Sequence, residues 1–176
     1  ARLYTVGIKT PGKPQDIWLK QLQSATHYNQ WIFSHIQPHL QGRILEIGCG
    51  NGTFTTLIAP HCAQLLAIDI EPTYTQQAKT RLQPYEHVKV ITTDATTMEW
   101  SASFDTIYIL KQLKQYLTPN GKLILKVPAI ETLYNSLDRA VGHHRRYTRQ
   151  TLAETLSQAS YSDFTFQYFN FVGIFG

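Results

Sequence analysis

Hydrophobic positions change their rhythm once along this chain, near Gly42. From residue 15 to 40, Ile17, Leu19, Leu22, Trp31, Ile32 and Ile36 recur at roughly helical spacing, which predicts one or two helices packed over the domain that follows. Beyond Gly42 the apolar residues gather into short runs flanked by turn residues: RILEIG, LLAIDI, VKVITTDA, FDTIYIL and KLILKVP. Helical stretches separate them, namely TFTTLIAPH, PTYTQQAKTRLQ and LKQLKQYL, and Pro72 suits a first helical turn. Strands alternating with helices predict right-handed βαβ units and a mostly parallel, doubly wound α/β sheet. The continuous apolar character of the strands agrees, because such a sheet is buried on both faces.

After residue 130 the pattern loosens. TRQTLAETLSQAS reads as a helix, with Thr151 and Glu154 spaced as a capping box. DFTFQYFNFVGIFG alternates like a late strand, and a further strand is expected after Gly176 to close the sheet. One junction is too short. FDTIYI ends at Ile109 and LKQLKQYL begins at once, whereas a parallel crossover usually takes a dozen or more residues. No loop is left at the strand's C-terminal edge, where ligands bind in such folds. We therefore expect a segment to be absent between Ile109 and Leu110. The whole reads as one domain over 1–176, with a helical cap over 1–41, a core over 42–130 and a substrate-side segment over 131–176.

Composition narrows the class. With 176 residues, 43% of them hydrophobic, the chain is long enough for one well-buried core. It contains no apolar run of membrane-spanning length and no signal-peptide pattern at its start. The first residue is Ala1, so we expect the chain to begin inside a longer one. Two cysteines, Cys49 and Cys62, fit reduced thiols in a cytoplasmic protein better than a disulfide framework or a metal site. The net charge of +4 is mildly basic, which admits an acidic small substrate or nucleic acid.

The chemistry gathers at the strand ends. In RILEIGCGNGTFT, Gly48, Gly50 and Gly52 follow a strand and precede a helix, so backbone N–H groups can close on a ligand. No Lys-Ser/Thr pair follows, which excludes a triphosphate loop, and the G-x-G-x-G spacing departs from the dinucleotide fingerprint. Asp69 ends the second strand, close to the spacing of a ribose-binding acid, and its two oxygens can accept from both ribose hydroxyls. Asp94, after the third strand, can accept from an adenine amino group. Glu46 is an acid inside an apolar strand and should have a partner.

These stretches, LEIGCGNG, AIDIEP, TTDAT and FDTIYI, with LTPNGKLILKVP, resemble the class I S-adenosylmethionine-dependent methyltransferases over most of the chain, from about Tyr28 onward. The resemblance implies a Rossmann-like, seven-stranded sheet with one late antiparallel strand, and places LTPNG as a turn before the fifth strand. It implies S-adenosyl-L-methionine as cofactor and S-adenosyl-L-homocysteine as product. Gly48, Gly50 and Gly52 would line the methionyl part, Asp69 the ribose, and Asp94 with Ala95 the adenine. Tyr28, Glu46, Cys49 and Ile70 would complete that site. A narrower resemblance, carried by LYNSLDRAVGHHRRYT with YNQWIFSHIQPHL and YFNFVG, is to a bacterial subgroup with a Gly-His-x-Arg-Arg-Tyr signature acting on small or saccharide-like molecules.

In GHHRRYTR, His143 and His144 are candidate general bases, with ordinary pKa values near ~6.5. Arg145, Arg146 and Tyr147 are candidate substrate contacts, since guanidinium forks suit carboxylates and phosphates. The same segment can instead be structural, an arginine pairing with Asp138 or Glu131. The expected activity is O- or N-methylation of a small acceptor, a carboxylate or saccharide-like molecule included, in the cytoplasm and without metal. Two alternatives stand beside it: a nucleic-acid methyltransferase, and a cofactor-binding partner subunit without catalysis.

Overall fold

Among the described residues five strands build one sheet: β1 (Arg43–Ile47), β2 (Gln64–Asp69), β3 (Val88–Thr92), β4 (Phe104–Tyr108) and β5 (Leu117–Ile124). Their order is β3-β2-β1-β4-β5, and every pairing is parallel. The chain thus winds outward from β1 to β3 and then returns to β1's other edge, which creates a switch point between β1 and β4. This computed structural model describes Asp16 and residues 19–20, 23–95, 97–98, 104–108, 117–125, 127, 129 and 146–167.

Alternation along β1 divides the core. Ile44 and Leu45 are both fully buried but point to opposite faces. Ile44 packs with Phe33, Ile58, Leu65, Ala78 and Leu82 on one face, and Leu45 with Phe104 on the other. Each such aliphatic side chain stabilises the fold by about 1.5–3 kcal/mol through burial. Truncating Ile44 to alanine would cost about 2–5 kcal/mol, because the neighbours cannot close the hole. The helices on this sheet are α1 (Thr26–Ile36), α2 (Thr55–Ile58), α3 (Pro72–Leu82) and α4 (Arg149–Gln158), and 3-10 turns extend α1 and α2. Pro72 opens α3 at its first turn, where its missing N–H is not needed.

Four sequence expectations change. Leu117 belongs to β5 rather than to a helix over 110–117, because it pairs with Phe104; residues 110–116 lie outside those described, as does the junction at Ile109. LTPNG lies inside β5 rather than before it. Its turn survives as a bulge: β4 advances from Phe104 to Thr106 while β5 advances from Leu117 to Lys122, with Asn120 at φ +83°. The cap of α4 is Thr148, not Thr151: Thr148 Oγ1 accepts from the Thr151 N–H at 3.1 Å, and Thr151 Oγ1 accepts from the Thr148 N–H at 3.0 Å. Glu154 instead accepts from Gln150 Nε2 along the helix surface. Of the expected late strand over 163–176, residues 163–167 form none, because no described strand pairs with them, although Phe164 and Phe166 are half-buried and Thr165 and Gln167 exposed; residues 168–176 lie outside those described. The sheet of described residues has five strands of the seven expected, and no antiparallel one.

Candidate functional site

The loop after β1 is tied to the end of β2. Gly48 and Cys49 both donate their N–H to Ile68 O, at 2.8 and 3.0 Å. Gly50 donates its N–H to Asp69 Oδ2 at 2.8 Å, and Glu71 donates to Asp69 Oδ1 at 2.9 Å. Asp69 is therefore first a brace: it fixes the glycine loop against β2 with both carboxylate oxygens. Each oxygen still has capacity for a second donor.

Two of the glycines answer different needs. Gly52 lies at φ +81°, and a Cβ there would meet Ala78 Cα and Cβ at 3.1 Å. The close approach at Gly52 is thus of loop to helix α3, a packing role. Gly50, at φ +55°, has among the described residues only the Leu19 side chain near its missing Cβ. Gly48 is exposed at the mouth of the loop. Asn51 and Thr53 lock the turn that follows, Thr53 Oγ1 donating to Asn51 Oδ1 at 2.7 Å.

Asp94 stands on the neighbouring strand end. The Thr93 N–H donates to Asp69 O at 2.9 Å, which couples the exit of β3 to the exit of β2. Asp94 O then accepts from both Thr97 N and Thr97 Oγ1, so a short turn carries Asp94 and Ala95, both half-buried. Ile70, next to Asp69, is 54% exposed. Tyr28 lies on α1 against Trp31 and the Ile32–Ile36–Phe54 cluster, and burial raises its phenol pKa.

Under the loop sits an uncommon group. Glu46 is 1% exposed, and burial pushes its carboxyl up to about 7, helped by the charge of Asp69. The Thr55 hydroxyl faces it and offsets part of that rise, yet closes no hydrogen bond: Glu46 Oε2 and Thr55 Oγ1 lack partners among the described residues. The expected partner of Glu46 is thus missing for one oxygen. Cys49 and Cys62 are free thiols. Burial, then the nearby Glu46 carboxyl, raises both, Cys62 to about 11, so neither is a thiolate nucleophile at neutral pH.

On the far side, His143, His144 and Arg145 lie outside the described residues. Arg146 Nη1 donates to Ala129 O at 3.3 Å, beside the Ala129–Tyr147 bridge. Part of this guanidinium therefore serves to join the two segments. Tyr147 lines a cavity of about 910 Å³ between β5, α1 and α4, together with His35, His39, Leu125, Arg149 and Leu152. His35, on α1, and His39, in the 3-10 turn that follows it, are cavity residues that the sequence reading did not single out. The glycine loop, Asp69 and Asp94 are not part of this cavity's lining. No described helix is long and apolar enough to cross a membrane.

Residues 44–126 match the family model of a methyltransferase domain. Nodulation protein S of Bradyrhizobium diazoefficiens is 30% identical over 69 residues, 39% of this chain and 33% of that protein. The tRNA U34 carboxymethyltransferase of Ruthia magnifica is 30% identical over 118 residues, covering 57% of this chain and 37% of the relative. Among solved structures, the N-methyltransferase NodS from Bradyrhizobium japonicum in complex with S-adenosyl-L-homocysteine superposes with a TM-score of 0.59 at 22% identity, over 77% of this chain and 74% of that one. The chain spans about a third of the length of these curated relatives. Its fold is the Rossmann-like fold of class I methyltransferases.

Proposed function

We propose that this chain binds S-adenosyl-L-methionine and transfers its methyl group to a small-molecule acceptor. The observation that carries the reading is the brace between Asp69 and Gly50, with Asp94 on the adjacent strand end and the exposed Ile70 between them. The residues present fit that cofactor. Two acids offer acceptors to hydroxyl and amino groups, Ile70 offers an apolar surface to a base, and the loop has no cation for phosphate. Glu46 adds a carboxyl oxygen without a partner among the described residues beneath the loop, and an ammonium there would favour its ionised, accepting form.

The bound sulfonium supplies an electrophilic methyl group; the chain's own residues hold and orient. In this reading Asp69 accepts ribose hydroxyls while keeping Gly50 in place, and Asp94 with Ala95 holds the adenine edge. The cavity beside Tyr147 is of the size that encloses a small molecule. His35, His39 and Arg149 give its apolar walls a few polar contacts. Holding the acceptor in line with that methyl group is the largest available contribution, about 7–11 kcal/mol for well-oriented reactants. The similarity to an enzyme named as an N-methyltransferase favours nitrogen as acceptor, with oxygen the alternative.

A second reading, methylation of RNA, draws on the relative named as a tRNA-modifying enzyme and on the net charge of +4. Calorimetric titration with S-adenosylhomocysteine tests the cofactor first. We expect micromolar binding that Asp94→Ala weakens tenfold or more; no binding would overturn the proposal. Radiolabelled methyl transfer to a panel of small amines, carboxylates and saccharides, run beside total tRNA, then separates the two acceptor classes.

A further inference from the structure

Two side chains meet beneath the glycine loop with their polar atoms unanswered. Glu46 Oε2 and Thr55 Oγ1 lack hydrogen-bond partners among the described residues, although Glu46 is 1% exposed and Thr55 is fully buried. Glu46 stands on β1 opposite Ala67 of β2, and Thr55 opens α2. Orphaned groups at this depth are costly, because nothing replaces the bonds that water made to them. The surrounding charges do not help an ionised Glu46. Asp69, at the end of β2, has the same sign, and the Cys49 and Cys62 thiols stay neutral. Among the described residues no cation is paired with Glu46.

We propose that Glu46 and Thr55 form a proton-exchanging seat for the cofactor's ammonium: as the ammonium settles, Glu46 gives its carboxyl proton to solvent, so that pH gates cofactor binding. The inference rests on the cofactor reading above.

The exchange balances. The O–H bond of the Glu46 carboxyl breaks, its electron pair stays on the carboxylate, and the proton passes to water or buffer while the ammonium keeps its own three. Thr55 fits this exchange because a hydroxyl can donate and accept at once. Beside an ionised Glu46 it donates to the carboxylate and turns its lone pairs to the ammonium. Thr55 is thus a positioning residue, acting through Glu46. Gly48, two positions beyond Glu46, is exposed and has no side chain to stand over the carboxyl. Burial and then Asp69 hold that carboxyl up at about 7, with Thr55 offsetting part of the rise. The free chain therefore keeps the proton in acid and the loaded chain does not. Affinity is low in acid and climbs to a plateau above neutrality.

The test is calorimetric titration at pH 6 and pH 8, each in two buffers of different ionisation enthalpy, which counts released protons. S-adenosylhomocysteine carries the ammonium; 5′-methylthioadenosine shares the nucleoside and lacks it. With the wild type, S-adenosylhomocysteine should release about 0.9 proton at pH 6 and about 0.1 at pH 8, and bind about tenfold more tightly at pH 8. Methylthioadenosine should release none, and neither should S-adenosylhomocysteine with Glu46→Gln. Thr55→Val should weaken binding at pH 8 about tenfold and release more protons there than the wild type, since the offset to the Glu46 rise is gone; Thr55→Ser should restore both. Wild-type binding without proton release at pH 6, or a release that methylthioadenosine or Glu46→Gln reproduces, would overturn the exchange and leave the cofactor reading standing. Failure of the wild type to bind either ligand at pH 8 would overturn both.

Discussion

Asp69 reaches from the end of β2 to the backbone of Gly50, and its Oδ2 accepts that N–H at 2.8 Å while Oδ1 accepts from Glu71. One carboxylate thus shapes the loop, and in the proposed reading it also accepts from the cofactor's ribose. The two roles separate in measurement. We expect Asp69→Ala to lower stability by about 1–3 kcal/mol, since two backbone donors lose a charged acceptor. Urea unfolding reads that loss, and calorimetry with S-adenosylhomocysteine reads a loss of affinity larger than the stability change implies.

Ile70 supplies the opposite case. It is 54% exposed, so Ile70→Asp should leave stability within about 0.5 kcal/mol of wild type. The same change places a charge where the proposed adenine lies. A tenfold or greater loss of cofactor affinity at unchanged melting temperature is the expected result. Unchanged affinity would remove Ile70 from the site.

Glu46 makes stability depend on pH in an unusual direction. Its carboxyl is raised to about 7 in the folded chain from an ordinary value of 4.5. The unfolded chain therefore releases this proton first. The favourable contribution is complete below pH 4.5 and is lost as the pH rises through about 7, a change on the order of 3 kcal/mol. Glu46→Gln should flatten that part of the pH profile and raise stability at pH 8. Denaturant midpoints between pH 5 and 8 for the two proteins check it.

The loop glycines should respond unequally to alanine. At Gly52 the new methyl meets the backbone of α3 at 3.1 Å and φ is +81°, so strain and overpacking combine to about 2–4 kcal/mol. At Gly50 the neighbour is the flexible end of Leu19, and the cost should be about 1–2 kcal/mol, mostly from φ. Equal losses in thermal unfolding would contradict this division.

Much of this was legible before the structure, where the signal was local. Strand-to-glycine and strand-to-aspartate transitions mark β1, β2 and β3 with Gly50, Asp69 and Asp94, because period and punctuation coincide there. Long-range contacts left no such mark. Tyr74 and Asp16 are far apart in sequence, and nothing in either neighbourhood announces their hydrogen bond. Gly52 read as a ligand-facing glycine because its contact with Ala78 depends on how α3 packs. Leu117 fits a helical period in LKQLKQYL, but pairing with Phe104 decides its state. Thr151 and Glu154 have the spacing of a capping box, but the reciprocal hydrogen bonds between Thr148 and Thr151 make Thr148 the cap.

The order β3-β2-β1-β4-β5 carries a consequence for assembly. Strands β1, β2 and β3 each pair with their neighbour in sequence, whereas β4 must find β1 across the whole intervening segment. Short loop closures are reached sooner than long ones. The first three strands therefore form the low-contact-order half of the domain, and the glycine loop, Asp69 and Asp94 all belong to it. During synthesis this half of the sheet is complete in sequence by residue 94, before β4 and β5 have been made.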